Sequence, residues 1–337
     1  MIIKLKQTVQ YLVLGILFMF SVSDLYGQQE PQYSQFMYNK LPINAGYTGS
    51  REVLSLRALY RNQWSGITGA PQTATFSIHS PLKKEASALG FYMINDRLGV
   101  TNQTYFDASY AYRVPLGKGV KLSIGLNAGL LWFKSNLMSL KIDEQQDLVF
   151  QQNVNKVLPD IGAGLYIYHK NAYFGFSVPN FIKGDLQDAA VIKKFKNDNS
   201  GSFLSAHRTA HFVTMAGGVI PAGKVLFIRP QIMYRYIASA EQKIAHTLDM
   251  NLSLLIYNRV NIGASYRTSF HNKSTGLLNG DSFDALIEVW PTKQLLIGFA
   301  YDYTLTKLGD YSHGSYDIIL GYDFSFEKKR IITPRYF

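Results

Sequence analysis

The sequence predicts an all-β fold: a transmembrane antiparallel β-barrel of about 14 strands, with short periplasmic turns and longer extracellular loops. Three observations predict it. Period-two segments recur along nearly the whole chain. The connections between them alternate in length, with a tight turn at every second position and a longer connection in between. The composition agrees, with 23 Tyr, 21 Phe and 27 Gly against 17% charged residues. Aromatics suit a pleated surface and glycine supplies the bends.

Residues 1–27 read as a cleaved secretory signal peptide. Lys4 and Lys6 form a positive start, Tyr11–Phe20 is an apolar run too short to span a bilayer comfortably, and Ser21–Gly27 holds small and polar residues. Removing them takes out Lys4, Lys6 and Asp24 and lowers the formal charge from +11 to +10. Residues 28–52 follow, aromatic and rich in turn formers but with neither helix nor strand period. Left in water they would expose Tyr33, Phe36, Tyr38 and Tyr47, so they are expected to pack in or across the periplasmic mouth. Pro42 and Gly46 are expected to turn the chain toward the first strand.

The barrel is assigned to 53–337, with a short basic tail. Its expected strands are 53–61, 71–79, 86–95, 102–114, 118–134, 157–168, 171–178, 207–220, 224–236, 244–257, 259–269, 281–290, 293–303 and 314–326. In Lys121–Trp132 the even positions are Leu122, Ile124, Leu126, Ala128, Leu130 and Trp132, while the odd ones begin Lys121, Ser123, Gly125, Asn127. Successive strand side chains face opposite ways, so one face is apolar and the other polar. Asp317–Phe326 repeats the pattern. The tight connections are SPLKKE, PLGKG, HKN, PAGK, NR and PTK; the longer ones are 62–70, 96–101, 135–156, 179–206, 237–243, 270–280 and 304–313. Such sorting is what a barrel with periplasmic turns requires, and an even strand number leaves both ends in the periplasm. Trp64, Trp132 and Trp290 fall near strand ends, as membrane-interface girdles would. Asp107, Arg113, Arg229, Arg235, Asp249, Arg267, Asp302 and Asp323 fall on the polar face, where a dry lumen would hold them as pairs.

Several chemistries are excluded. Without cysteine there is no disulfide framework, thiolate metal site or cysteine nucleophile. The basic residues are scattered singly apart from Lys193/Lys194/Lys196 and Lys328/Lys329/Arg330, so no nucleic-acid stripe forms. There is no phosphate-binding glycine loop, HExxH or GxSxG. His207 and His211 read as a surface pair at a strand start, and Asp143/Glu144/Asp147 as a solvated loop lacking calcium-loop spacing. No catalytic, metal or cofactor site is expected, and the protein reads as a non-enzyme.

The stretches QEPQYSQFMYNKLPINAGYTGS (29–50) and RNQWSGITGAPQTATFSIHSPL (61–82), with the closing SHGSYDIILGYDFSF…PRYF (312–337), resemble the PorP/SprF family of type IX secretion membrane proteins. The residues carrying the resemblance are Gln32, Tyr33, Ser34, Gln35, Asn44, Gly49, Gln63, Trp64, Gly66, Gly69, Ala70, Pro71, Pro334, Arg335 and Phe337. The chain departs from the family's Asn-Pro-Ala-Tyr-like step, having Ala45-Gly46-Tyr47 after Asn44. The resemblance implies an outer-membrane component of type IX export and, in gliding bacteria, motility. It would bind periplasmic and outer-membrane components, outer-membrane lipid and a cargo protein with a C-terminal sorting domain. Loops 135–156 and 179–206 would meet cargo; the N-terminal segment and tail 327–337 would meet periplasmic partners. A porin-like solute channel is the alternative, and a membrane-embedded hydrolase a third reading.

Overall fold

The computed structural model describes residues 36–37, 39–83, 86–140, 152–182, 184–185, 207–208, 210–237, 246–270 and 279–324. The signal-peptide reading, Gln32–Gln35, the acidic cluster 143–147, residues 141–151 of loop 135–156, most of loop 179–206, and tail 327–337 lie outside the described residues.

Alternation decides the architecture. Outward positions of Val120–Ser135 are exposed Ile124, Leu126, Leu130 and Trp132, while Ser123, Asn127 and Ser135 are buried. Water would favour the opposite arrangement. Hydrocarbon favours this one, provided every backbone group is paired and no sheet edge is left open.

Among the described residues the barrel strands are β1 (Leu54–Asn62), β2 (Gln72–Pro81), β3 (Ser87–Leu98), β4 (Thr101–Gly117), β5 (Val120–Ser135), β6 (Val154–His169) and β7 (Ala172–Val178). The second half comprises β8 (His211–Gly218), β9 (Leu226–Ile237), β10 (His246–Ile256), β11 (Val260–Phe270), β12 (Asn279–Val289), β13 (Leu295–Thr304) and β14 (Ser315–Phe324). Each pairs antiparallel with its neighbours in sequence, and β1 pairs with β14 from Leu54↔Phe324 to Asn62↔Tyr316, closing the ring. Pro230 lies in β9, and the β8–β9 ladder stops at Gly217↔Gln231 before resuming at Ile220↔Ile228. All 14 expected strands are present.

Three expectations need correction. Residues 96–101 are not a longer connection: β3 and β4 run on to Leu98↔Thr101, leaving Gly99–Val100 as a tight turn, with Gly99 at φ +57°. The polar run there is strand because its side chains pair across it: Asn95 Nδ2 donates to Asn102 Oδ1 and Thr104 Oγ1, both at 2.8 Å. His211 is buried rather than on the surface, since its parity in β8 points it inward. Trp290 packs against the buried cluster rather than facing lipid, while Trp132 does face outward. Gly46 lies in a 3-10 turn, Ala45–Tyr47, and the chain then reaches β1 through Gly49 (φ +72°) and Glu52 (φ +55°).

Outward tyrosines mark the two interfaces: Tyr60, Tyr234, Tyr301 and Tyr303 toward the loop end, Tyr112, Tyr257 and Tyr322 toward the turn end. Between them lie aliphatics such as Leu126, Ile161, Leu252, Ile262 and Leu320. β4 has 17 residues and β5 and β6 have 16 each, well beyond the ~9–11 needed to cross a bilayer. This side of the barrel therefore projects beyond the membrane.

Candidate functional site: a filled lumen and a stitched rim

The polar inner wall encloses the chain's own N-terminal segment. Described residues from Phe36 to Gly49 are buried apart from partly exposed Pro42, and Ala45–Tyr47 form a short 3-10 turn. Asn44 precedes that turn and its Oδ1 accepts from Gly46 N at 2.8 Å. Its Nδ2 donates to the carbonyls of Leu165 (3.0 Å) and Phe176 (3.4 Å), a directly paired couple of β6 and β7. One side chain thus organises the segment's turn and ties it to the wall.

Further bonds reach other strands. Thr48 Oγ1 donates to Ser109 Oγ (2.9 Å), Gly49 N to His79 Nδ1 (2.9 Å), Arg113 Nη1 to Gly49 O (2.7 Å) and Ser177 Oγ to Ile43 O (2.7 Å). The residues contacted lie on β2, β4, β6 and β7; Phe176 and Ser177 of the short β7 pair with Leu165 and Gly164 in the turn-end half of β6, and His79 and Arg113 lie toward the turn ends of β2 and β4, so the segment fills that half of the lumen. Phe36, Met37, Leu41, Ile43 and Tyr47 add apolar burial, each worth roughly 1.5–3 kcal/mol.

The wall is shaped for this segment by missing side chains. Gly125 and Gly164 face each other across β5 and β6. A Cβ on Gly125 would lie 2.2 Å from the Ala45 backbone, and one on Gly164 would lie 2.0 Å from Asn44 Oδ1. A Cβ on Gly46 would meet Gly164 O at 2.9 Å, which explains glycine there without any need for positive φ.

Several buried charges are paired, as the polar face of the sequence requires. Arg61 donates to Asp317 (2.7 Å) and Asp302 (2.8 Å), Arg57 and Arg51 to Asp323 (2.9 and 2.6 Å), and Arg267 to Asp249 (2.5 Å). Removing one partner would strand the other at a cost of ~3–5 kcal/mol. Burial pulls the Arg51 guanidinium down, but Asp323 more than offsets it and holds it above its usual range. Lys40 is different. Burial first, then Arg229, pushes its ammonium well below the usual lysine range, with only Glu288 among the main influences opposing. Its Nζ donates to Met37 O (2.8 Å) and sits 4.4 Å from the Tyr173 ring centre.

The second cluster lies at the loop end. Gln63 N donates to Pro71 O (2.9 Å), closing the β1–β2 loop on itself. Ser65 N donates to Gly314 O and His313 N to Ser65 O, while Gly99 N donates to Gly69 O (2.8 Å) and Asn136 N to Val100 O (3.0 Å). Backbone bonds therefore stitch the β13–β14, β1–β2, β3–β4 and β5–β6 connections into one arc. Trp64, Gly66 and Gly69 all have positive φ, and a Cβ on Gly66 would lie 2.9 Å from His313.

The family-motif residues thus separate into two groups. Asn44 and Gly49 hold the lumen segment at the turn end; Gln63, Trp64, Gly66, Gly69, Ala70 and Pro71 build the loop-end arc. Gln32, Tyr33, Ser34, Gln35, Pro334, Arg335 and Phe337 lie outside the described residues. Sequence reasoning missed Lys40, Arg51, Arg57, Arg61 and the Gly125–Gly164 pair. Inward parity on adjacent strands was the available signal for the glycines, but their partner could not be read from it.

The family model for "Type IX secretion system membrane protein PorP/SprF" matches residues 25–322. The chain belongs to the PorP/SprF family. This PorP/SprF protein is accordingly an outer-membrane component associated with the type IX secretion machinery. Among curated proteins none matches it by sequence. Among solved structures it is similar to the CymD monoaromatic hydrocarbon channel, at 11% identity and TM-score 0.50, over 89% of this chain and 95% of that one. The TodX deltaS2S3 mutant monoaromatic hydrocarbon channel aligns at 10% identity and TM-score 0.47, over 81% and 89%. At this identity the CymD likeness shows the barrel fold alone.

Proposed function

We propose that this PorP/SprF protein assists export or surface attachment of a cargo protein with a C-terminal sorting domain, acting by protein binding and not by catalysis. The observation that carries the reading is the filled lumen: residues 43–49 hydrogen-bond to four wall strands in its turn-end half. A solute pore needs that space for water, whereas a scaffold gains rigidity from filling it. The stitched loop-end arc supports the same reading, because backbone-braced loops present a surface at little ordering cost on binding. Loops 135–156 and 179–206 would extend that surface outward.

Deleting the gene and comparing surface and secreted proteomes tests the reading. Loss of one sorting-domain protein identifies a dedicated partner, and loss of all of them a general component. An unchanged proteome rejects the export role. Steady conductance of the purified full chain in a planar bilayer, without cargo co-purification, would favour the solute channel.

A further inference from the structure

Basic residues that are scattered in sequence are gathered by the topology. Every second connection lies at the turn end, and each of these six carries an exposed lysine or arginine: Lys83, Lys118, Lys170, Lys224, Arg259 and Lys293. They are spaced two strands apart and so surround the barrel on all sides. Among the described residues, the acidic side chains near this end are Glu52, paired with Lys121, and the buried Glu288 and Asp323. The remaining position on the rim is where the chain enters β1 and leaves β14, and there Arg51 and Arg57 both turn to Asp323.

The same turns also carry exposed apolar side chains: Leu82 beside Lys83, Leu116 beside Lys118, Val225 beside Lys224 and Tyr257 beside Arg259. Tyr257 is 69% exposed and Leu116 56%. An apolar group next to a cation is the pattern of a residue pair at a membrane interface, with the apolar part in hydrocarbon and the charge at phosphate level. Arg259 is held along the rim rather than pointing away, because Nη1 donates to Pro291 O at 3.0 Å.

We infer that these six residues form a ring that binds the phosphates of anionic phospholipids in the periplasmic leaflet of the outer membrane. Placement on every side favours lipid over a protein partner, which would approach from one side or cap the end and leave the apolar neighbours uncovered. The ring fixes the depth of the barrel and concentrates anionic lipid around its periplasmic rim.

Native mass spectrometry of the full chain, titrated with phosphatidylglycerol or phosphatidylcholine, tests this. The wild type should retain phosphatidylglycerol in preference, by roughly fivefold per site, and lose that preference as salt is raised. The variant K83Q/K118Q/K170Q/K224Q/R259Q/K293Q should bind both lipids alike, with folding checked by heat-modifiable gel mobility. The half-ring variants K83Q/K118Q/K170Q and K224Q/R259Q/K293Q should each lose part of the preference, which keeps the test open if the sixfold variant misfolds. Equal lipid binding by the wild type, or an undiminished preference in the half-ring variants, would overturn the inference. So would capture of an acidic periplasmic protein through these residues without any lipid preference.

Discussion

Asn44 shows how much one side chain can determine. Its amide caps the 3-10 turn through Gly46 N and bonds two wall carbonyls, so an alanine there leaves buried groups unsatisfied. Asn44→Ala should weaken docking of residues 39–50 by about 2 kcal/mol. Hydrogen exchange would report it as faster exchange at 45–49 with the strands unchanged. Lys40 makes a pH-dependent contribution of known sign. Its docked pKa lies below the free value, so the undocked segment binds more protons and docking stability rises with pH toward about 10.4. Protection factors for 39–49, corrected for intrinsic exchange, should therefore increase from pH 7 to pH 9.5, and Lys40→Met should flatten that trend. A wild-type trend in the opposite direction would contradict the buried-lysine account.

At the scale of elements, the fit between segment and wall depends on the facing glycines of β5 and β6. Gly125→Val should expel the segment, because the new side chain would occupy the Ala45 backbone position, while the outward face and the ladder of β5 stay intact. Limited proteolysis should then cut within 39–50 in the variant only, with heat-modifiable mobility showing that both barrels are closed. If the segment stays protected, the glycine pair is not its seat. The closing seam depends on another element pair. Arg61 on β1 holds Asp317 on β14 and Asp302 on β13, so the strands that meet last in sequence are joined by charge as well as by backbone bonds.

For the whole molecule, an alternating inside-out pattern and a filled lumen coexist, and they separate the scaffold reading from the channel reading. Purified full-length protein should be silent in a planar bilayer, and deletion of 36–50 should produce steady conductance through the polar wall. Conductance in both, or in neither, would remove the segment from any role in closing the lumen. The net charge of +11 also has a place in the assembled barrel. Some of the basic side chains behind it are held against buried aspartates, and others are displayed around the turn end.

The sequence by itself determined the strands, their order and their facing. Side-chain period two is a local property that survives without tertiary information, and membrane thickness bounds strand length. It also marked the polar face that would hold Asp249, Arg267, Asp302 and Asp323. Tertiary structure decided everything that depends on register between distant strands. It placed Asn44 on the Leu165–Phe176 pair, set Gly125 opposite Gly164, brought Arg61 to Asp317 and Asp302, and ran β3 and β4 on to Leu98 and Thr101. It also gathered six separate basic turns into one ring. The physical reason is that alternation says which way a side chain points but not what it meets. Closure of the ring fixes every register together, and only then do inward side chains acquire partners.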